Sequence, residues 1–137
     1  MNHEDTKDTK ARNMDAQIEE ATNKVIGAAI KVHRHLGPGY LESVYEEALA
    51  VELTLRSIPF ARQVVFGLDY KGHVVGEGRL DFLVDGCLIV ELKAVEALAG
   101  IHTAQCISYL KANQRRLALL INFNVSVLKN GLKRIAL

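Results

Sequence analysis

Residues 88–93 read Leu88-Ile89-Val90-Glu91-Leu92-Lys93, an aliphatic run interrupted only by one acid and one amine. Together with Cys87 before it, a short run this apolar, preceded by the turn signal Asp85-Gly86, predicts a strand over Cys87–Lys93 buried on both faces, and such a strand is central in its sheet. Side chains alternate along a strand, so Glu91 and Lys93 share one face. Charges in an aliphatic strand are costly to bury and persist where they pair with each other or bind a metal or substrate.

The preceding segment, Val74 to Val84, reads as the neighbouring strand and carries Arg79-Leu80-Asp81-Phe82. The loop between the two strands decides whether Asp81 can meet Glu91. A two-residue hairpin at Asp85-Gly86 would set Asp81 against Val90 and point the two carboxylates to opposite faces. A three-residue loop or a bulge at Gly86 reverses that parity and makes Asp81 and Glu91 neighbours, and this second geometry is the one expected.

Working further outward, Val64, Val65, Phe66, Leu68 and Tyr70 predict a strand that turns at Lys71-Gly72. On the other side, residues 101–113 regain helical spacing, Leu117 to Phe123 is a second apolar strand, and Val125 to Leu137 reads as a closing hairpin around Asn130-Gly131. Near the N-terminus, Ile18, Val25, Ala29, Val32 and Leu36 mark one face of a helix that Gly37-Pro38-Gly39 stops. Leu41, Val44, Ala48, Val51 and Leu55 mark a second helix, ending before Pro59, and the two helices are expected to pack together. Residues 1–13 offer no periodic apolar residue and read as a disordered lead-in to one domain over residues 14–137. The element order is ααβββαβββ, an α/β (α+β) class with a mixed sheet flanked by helices.

The 137 residues, 49% hydrophobic, suffice for a core that folds without disulfides or structural metals. A net charge of +1 advertises no polyanion partner globally, so any nucleic-acid affinity must be local. Cys87 and Cys106 have no CxxC spacing, which excludes a zinc knuckle and fits a reducing, cytoplasmic setting. Charged residues interrupt every apolar run before it reaches the ~20 residues of a membrane span, so no membrane partner is expected.

Two carboxylates with open coordination positions suit Mg²⁺ or Mn²⁺, with Lys93 placed to orient a water or stabilise developing negative charge. A purely structural Asp–Glu–Lys ion cluster satisfies the same spacing. His102, Gln105 and Tyr109 lie on one face of the later helix, and Glu42 and Tyr45 share a face of an earlier one. Each alone has a plain reading: the tyrosines as half-buried core residues, His102 as a helix start. Lys111, Arg115 and Arg116, with Arg79, could contact backbone phosphates or form a solvated surface.

Asp81, then Glu91-x-Lys93, then Gln105-x-x-x-Tyr109 together resemble the PD-(D/E)XK nuclease superfamily in its RecB-like form with a QxxxY motif. Gly39-x-x-Glu42-x-x-Tyr45 adds the signature of the GxxExxY protein family within it, and the likeness runs from about Ala16 to the C-terminus. The superfamily's proline before the first aspartate is replaced by Leu80. The resemblance implies a restriction-endonuclease-like core, Asp81 and Glu91 as ligands to Mg²⁺ or Mn²⁺, Lys93 as catalytic lysine, and Glu42 reaching the metal directly or through water. It implies further that Gln105 and Tyr109 line the cleft, with His33 and His102 at its edge. The function so implied is metal-dependent hydrolysis of phosphodiester bonds, in DNA rather than RNA, for repair or defence. A homodimer or a substrate-delivering protein partner is compatible with it, and a catalytically silent nucleic-acid- or partner-binding module is the alternative.

Overall fold

The structure, a computed structural model, describes the backbone of residues 3–137 and the side chains of residues 9–137. Helices α1 (His3–Leu36) and α2 (Glu42–Leu55) precede strands β1 (Phe60–Tyr70), β2 (His73–Val84) and β3 (Leu88–Lys93). Helix α3 (Gly100–Asn113), strand β4 (Leu117–Asn122), a 3₁₀ turn (Leu128–Gly131) and strand β5 (Leu132–Ala136) complete the order. The sheet runs β1-β2-β3-β4-β5, antiparallel except for the parallel β3–β4 pair, which α3 connects. The run Leu88–Lys93 is thus the central strand, and Leu88 to Leu92 are all buried.

One face of the sheet is covered by α1 and α2, whose Val25, Ala28, Ala29, Leu49 and Leu53 pack on Leu88, Val90 and Leu92. The other is covered by α3, whose Cys106 and Leu110 pack on Ile89, Ala118 and Leu120. The expected α1 stripe does this, with Ile18, Val25, Ala29 and Val32 buried. Of the lead-in expected over residues 1–13, residues 1 and 2 lie outside the described residues, and α1 begins at His3 and continues through the rest. Glu, Lys, Ala and Arg are good helix formers, and a solvent-facing helix needs no apolar stripe there.

One expectation gains a detail and one is corrected. The apolar pattern that marks α2 is not its core face: Leu41, Val44, Val51 and Leu55 are exposed, Ala48 is half-buried, and the core face is Tyr45, Leu49 and Leu53. Both sets have helical spacing, and Tyr45 decides between them. Its ring stacks on Phe123 at 4.6 Å and 6°, and its hydroxyl donates to the Gly37 carbonyl at 2.6 Å while accepting from the Tyr40 N–H. Tyr45 therefore pins the Gly37-Pro38-Gly39 turn to the end of β4. Secondly, the closing hairpin is one strand, β5, preceded by the 3₁₀ turn, so the sheet has five strands. Residues 123–131 run as bends and the 3₁₀ turn, so no strand forms there to pair with β5, and Gly131 packs against the end of β4, where a Cβ would lie 2.0 Å from the Asn122 carbonyl oxygen.

Among the described residues no helix is long and apolar enough to cross a membrane. Tyr45→Phe is expected to cost about 1 kcal/mol by leaving the Gly37 carbonyl without its donor. Tyr45→Ala should cost about 3–5 kcal/mol by opening a cavity against Phe123, both read by urea denaturation.

Candidate metal centre

The β2–β3 ladder pairs Val84 with Leu88, Leu83 with Ile89 and Phe82 with Val90, and there its regular pairing ends. The loop is three residues long, Asp85-Gly86-Cys87, with Asp85 and Gly86 in the left-handed region (φ 52° and 65°). This is the odd loop that the parity argument required, and one more step of the same register sets Asp81 opposite Glu91. At that step the backbone bonds are replaced by side-chain ones. The Asp81 N–H donates to Glu91 Oε2 at 3.1 Å, and the Leu92 N–H donates to Asp81 Oδ2 at 2.8 Å.

The break has a cause on the next strand. Gln63 in β1 stands between the Arg62–Phe82 and Val64–Leu80 pairs, hence across from Asp81, and adopts φ 51°. Strict alternation slips here: Phe82 and Val84 pack toward α1 and α2, whereas Leu80 packs with Leu83 on the α3 side. Glu46 of α2 accepts from both Gln63 and Arg62, and Glu47 pairs with Arg62 at 2.5 Å, so α2 holds the kinked segment. Beyond the kink, the Phe66 ring lies across Gly78, where any Cβ would collide with it, and meets the Tyr109 ring edge-on at 5.0 Å.

Glu91 is only 4% exposed, and its carboxyl touches that of Asp81. Burial first, then the adjoining Asp81 carboxyl, push the Glu91 pKa up to about 9, with Lys93 pulling in the opposite direction. The first residue of α2, Glu42, also has a raised pKa, through burial and the charge of Asp81. Its electrostatic environment includes Lys93 as well. Glu42, Asp81, Glu91 and Lys93 are thus brought to one place. Among the described residues, however, no group of three or more His, Cys, Asp or Glu forms a ready ligand set, so Asp81 and Glu91 are the close pair and Glu42 stands off. Two touching acids in a buried site need either a proton or a cation between them. A hard divalent cation fits this oxygen-only pair, whereas zinc would want His or Cys that the site does not offer.

Tyr109 accepts a hydrogen bond from Gln105 Nε2 at 3.3 Å and another from the Arg79 backbone. Burial and the charges of Glu91 and Asp81 raise its pKa, which places the phenol beside the acidic pair. Gln105 is thus engaged with Tyr109, and it remains exposed. His102 turns inward to its own helix, its Nδ1 accepting from the Ala99 N–H at 2.9 Å, which caps the start of α3. His33 is buried in α1 and bonded to the Val125 carbonyl at 2.7 Å. Both histidines do structural work.

Of the basic residues singled out, Arg79 lies two positions before Asp81 on β2. Arg115 and Arg116 do not join it. They precede Leu117, which pairs with Leu88 at the far end of β3 from Lys93, roughly 16 Å away along the strand. There Arg116 pairs with Asp15 at 3.0 Å, beside a cavity of ≈ 460 Å³. Lys111 is likewise in the last turn of α3, away from the Gly100 end.

Two residues that sequence reasoning left unassigned support the site. Asn122, 2% exposed, faces Lys93 across the parallel pair. Its Oδ1 accepts from the Val95 and Asn124 N–H groups and its Nδ2 donates to the Val95 carbonyl, fixing the chain just after Lys93. A lone Asn ending an aliphatic strand was the available signal. Cys106 lies beneath the site on α3, where burial and the charge of Glu91 push its thiol up to about 11 and keep it unreactive. Nothing in the sequence marked Gln63.

The protein is thus a mixed sheet flanked by helices, with a buried carboxylate pair where the ladder parts and a lysine two residues further along the central strand. The sequence profile of the PD-(D/E)XK nuclease superfamily matches residues 19–135, and the chain belongs to that superfamily. Its members are typically nucleases that generally use divalent metals, with nucleic acid as substrate. No curated protein and no solved structure matches the chain.

Between pH 4.5, the ordinary carboxyl value, and about 9, the folded metal-free chain retains a proton on Glu91 that the unfolded chain has released. Its stability should therefore fall as pH rises across that window. Glu91→Gln should flatten the dependence, read as Tm against pH in EDTA at about 4 °C per kcal/mol. An equally steep profile in the variant would contradict the shifted carboxyl.

Proposed function

We propose that this chain is a divalent-metal-dependent nuclease that hydrolyses phosphodiester bonds in DNA, in repair or defence processing, and belongs to the GxxExxY group of its superfamily. The observation that carries the reading is the apposition of the Asp81 and Glu91 carboxylates at the ladder break, with Lys93 at the end of the same strand. Asp81 and Glu91 would hold Mg²⁺ or Mn²⁺, with Glu42 reaching it through water. When bound, such an ion polarises the scissile phosphate and lowers the pKa of a coordinated water.

The chain's own residues supply the remainder. Asp81 and Glu91 are fixed by the backbone N–H groups of Leu92 and Asp81, so little reorganisation is needed when their charges are compensated. Lys93 donates its ammonium hydrogens toward the negative charge that gathers on the phosphate oxygens, or holds the attacking water in line. Asn122 keeps the chain after Lys93 from shifting, and Arg79 offers a nearby cation to a flanking phosphate. Gln105 and Tyr109 form a polar wall of the cleft.

The test incubates the protein with single-stranded, duplex and branched DNA and with RNA, in Mg²⁺, Mn²⁺ or EDTA. Cleavage should require the metal, and both Glu91→Gln and Lys93→Ala should lower its rate by about 10²-fold or more. Calorimetric Mn²⁺ titration should show one site lost in Asp81→Asn. Cleavage that survives Glu91→Gln would refute the site, and Mn²⁺ binding without cleavage of any substrate would point to a silent binding module.

A further inference from the structure

Helix α2 is apolar on two faces, and only one of them is used by the core. Tyr45, Leu49 and Leu53 are fully buried, whereas Leu41, Val44, Val51 and Leu55 are 76%, 37%, 58% and 74% exposed. Val44, Val51 and Leu55, with the N-cap Leu41 at one end and the half-buried Ala48 at the middle, form a continuous stripe along the outer face. Contiguous exposed apolar surface of this kind marks an interaction site rather than scattered surface residues.

The stripe reads almost alike in both directions: Leu, Val, Ala, Val, Leu, with Ala48 seven residues from each leucine. A two-fold axis through Ala48, perpendicular to the helix, lays Leu41 of one copy on Leu55 of the next and brings Val44 beside Val51. The leucines so matched have nearly equal exposure, 76% with 74%, and the valines 37% with 58%. The small residue at the crossing lets the helices come close. We propose that this stripe is the interface of a homodimer in which α2 packs antiparallel on α2 of a second copy of this chain.

Charge selects a second copy over other occupants. The stripe itself is uncharged, and the acids beside it are paired within the chain: Glu52 with Arg56 at 2.7 Å, Glu46 and Glu47 both with Arg62 at 2.8 and 2.5 Å. Two carboxylates sharing one guanidinium leave a small negative excess on that flank, while Lys31 of α1 stands on the other, lining the groove between α1 and α2. A membrane surface would require a row of Lys or Arg along the rim, and α2 contains neither. A second copy brings the same apolar stripe and the same mixed rim, as an isologous interface demands. Beside the stripe, a groove of ≈ 310 Å³ bounded by Val32, Leu36, Ala48 and Val51 can receive apolar side chains from the opposing α2, once in each copy. Glu42 lies on the Tyr45–Leu49 side of the helix, so pairing through the outer stripe leaves the carboxylate pair accessible.

Light scattering on the full chain over a wide concentration range should give twice the 15.1 kDa monomer mass. Ala48→Lys and Ala48→Glu should each give monomer, and mixing the two should restore the dimer, because the two side chains meet at the axis. Ala48→Cys in a Cys87→Ser background should form a covalent dimer on oxidation, a readout that stands even where the charged variants fail to fold by circular dichroism. A monomeric wild type overturns the proposal, as does a dimer that survives both charged substitutions or one that Ala48→Cys cannot link.

Discussion

Asp81 and Glu91 meet in a buried position where two ionised carboxylates cannot rest side by side uncompensated. Much of the surrounding structure follows from making that contact. The three-residue loop sets the parity, the ladder stops one pair short of the acids, and the backbone N–H groups that would have continued it turn to the carboxylates. A regular hairpin would have satisfied those N–H groups with carbonyls and left the acids on the outside of the ladder, or apart. Separating the strands and bringing in the carboxylates are the same event.

That separation is held from both sides of the sheet. On one side, Glu46 and Glu47 of α2 grip Arg62 and Gln63, which stabilises the left-handed backbone opposite Asp81. On the other, Tyr109 of α3 rests on Phe66 and takes a hydrogen bond from the Arg79 backbone. The acidic pair thus lies where the β1–β2 hairpin, α2 and α3 converge. A side chain placed by three elements has little freedom to drift, which is the preorganisation that electrostatic catalysis requires.

The core strands and the acid–acid contact were legible in the sequence because both depend on period and parity, which a chain of letters records faithfully. Leu88–Lys93 could only be central, and requiring Asp81 and Glu91 to share a face was enough to choose the odd loop over the two-residue hairpin. The face of α2 was not legible, because Val44-Ala48-Val51-Leu55 and Tyr45-Leu49-Leu53 have equally good helical spacing. What separates them is a hydrogen bond to Gly37 and a stacking contact with Phe123, both tertiary. The histidines show chemistry that composition alone cannot place: His33 and His102 each engage one ring nitrogen with a backbone group, of Val125 and of Ala99. Gln63 carried no signal, since an exceptional φ leaves no mark on composition.

Charge distribution links the fold to the proposed activity. With a net charge of only +1, attraction of a polyanion on the proposed reading rests on local arrangement rather than overall field. Arg56, Arg62, Arg116 and Arg134 are committed to acids within the chain, and Arg115 and Arg116 sit at the wrong end of the sheet to help. Beside the carboxylates stands Lys93, and Arg79 lies two positions before Asp81 on β2. Without an ion, Asp81 offsets one of these cations, and phosphate gains little by approaching. A bound divalent cation compensates both carboxylates and leaves Lys93 and Arg79 in excess, so on the proposed reading the same ion that activates the chemistry also makes the cleft attractive to substrate.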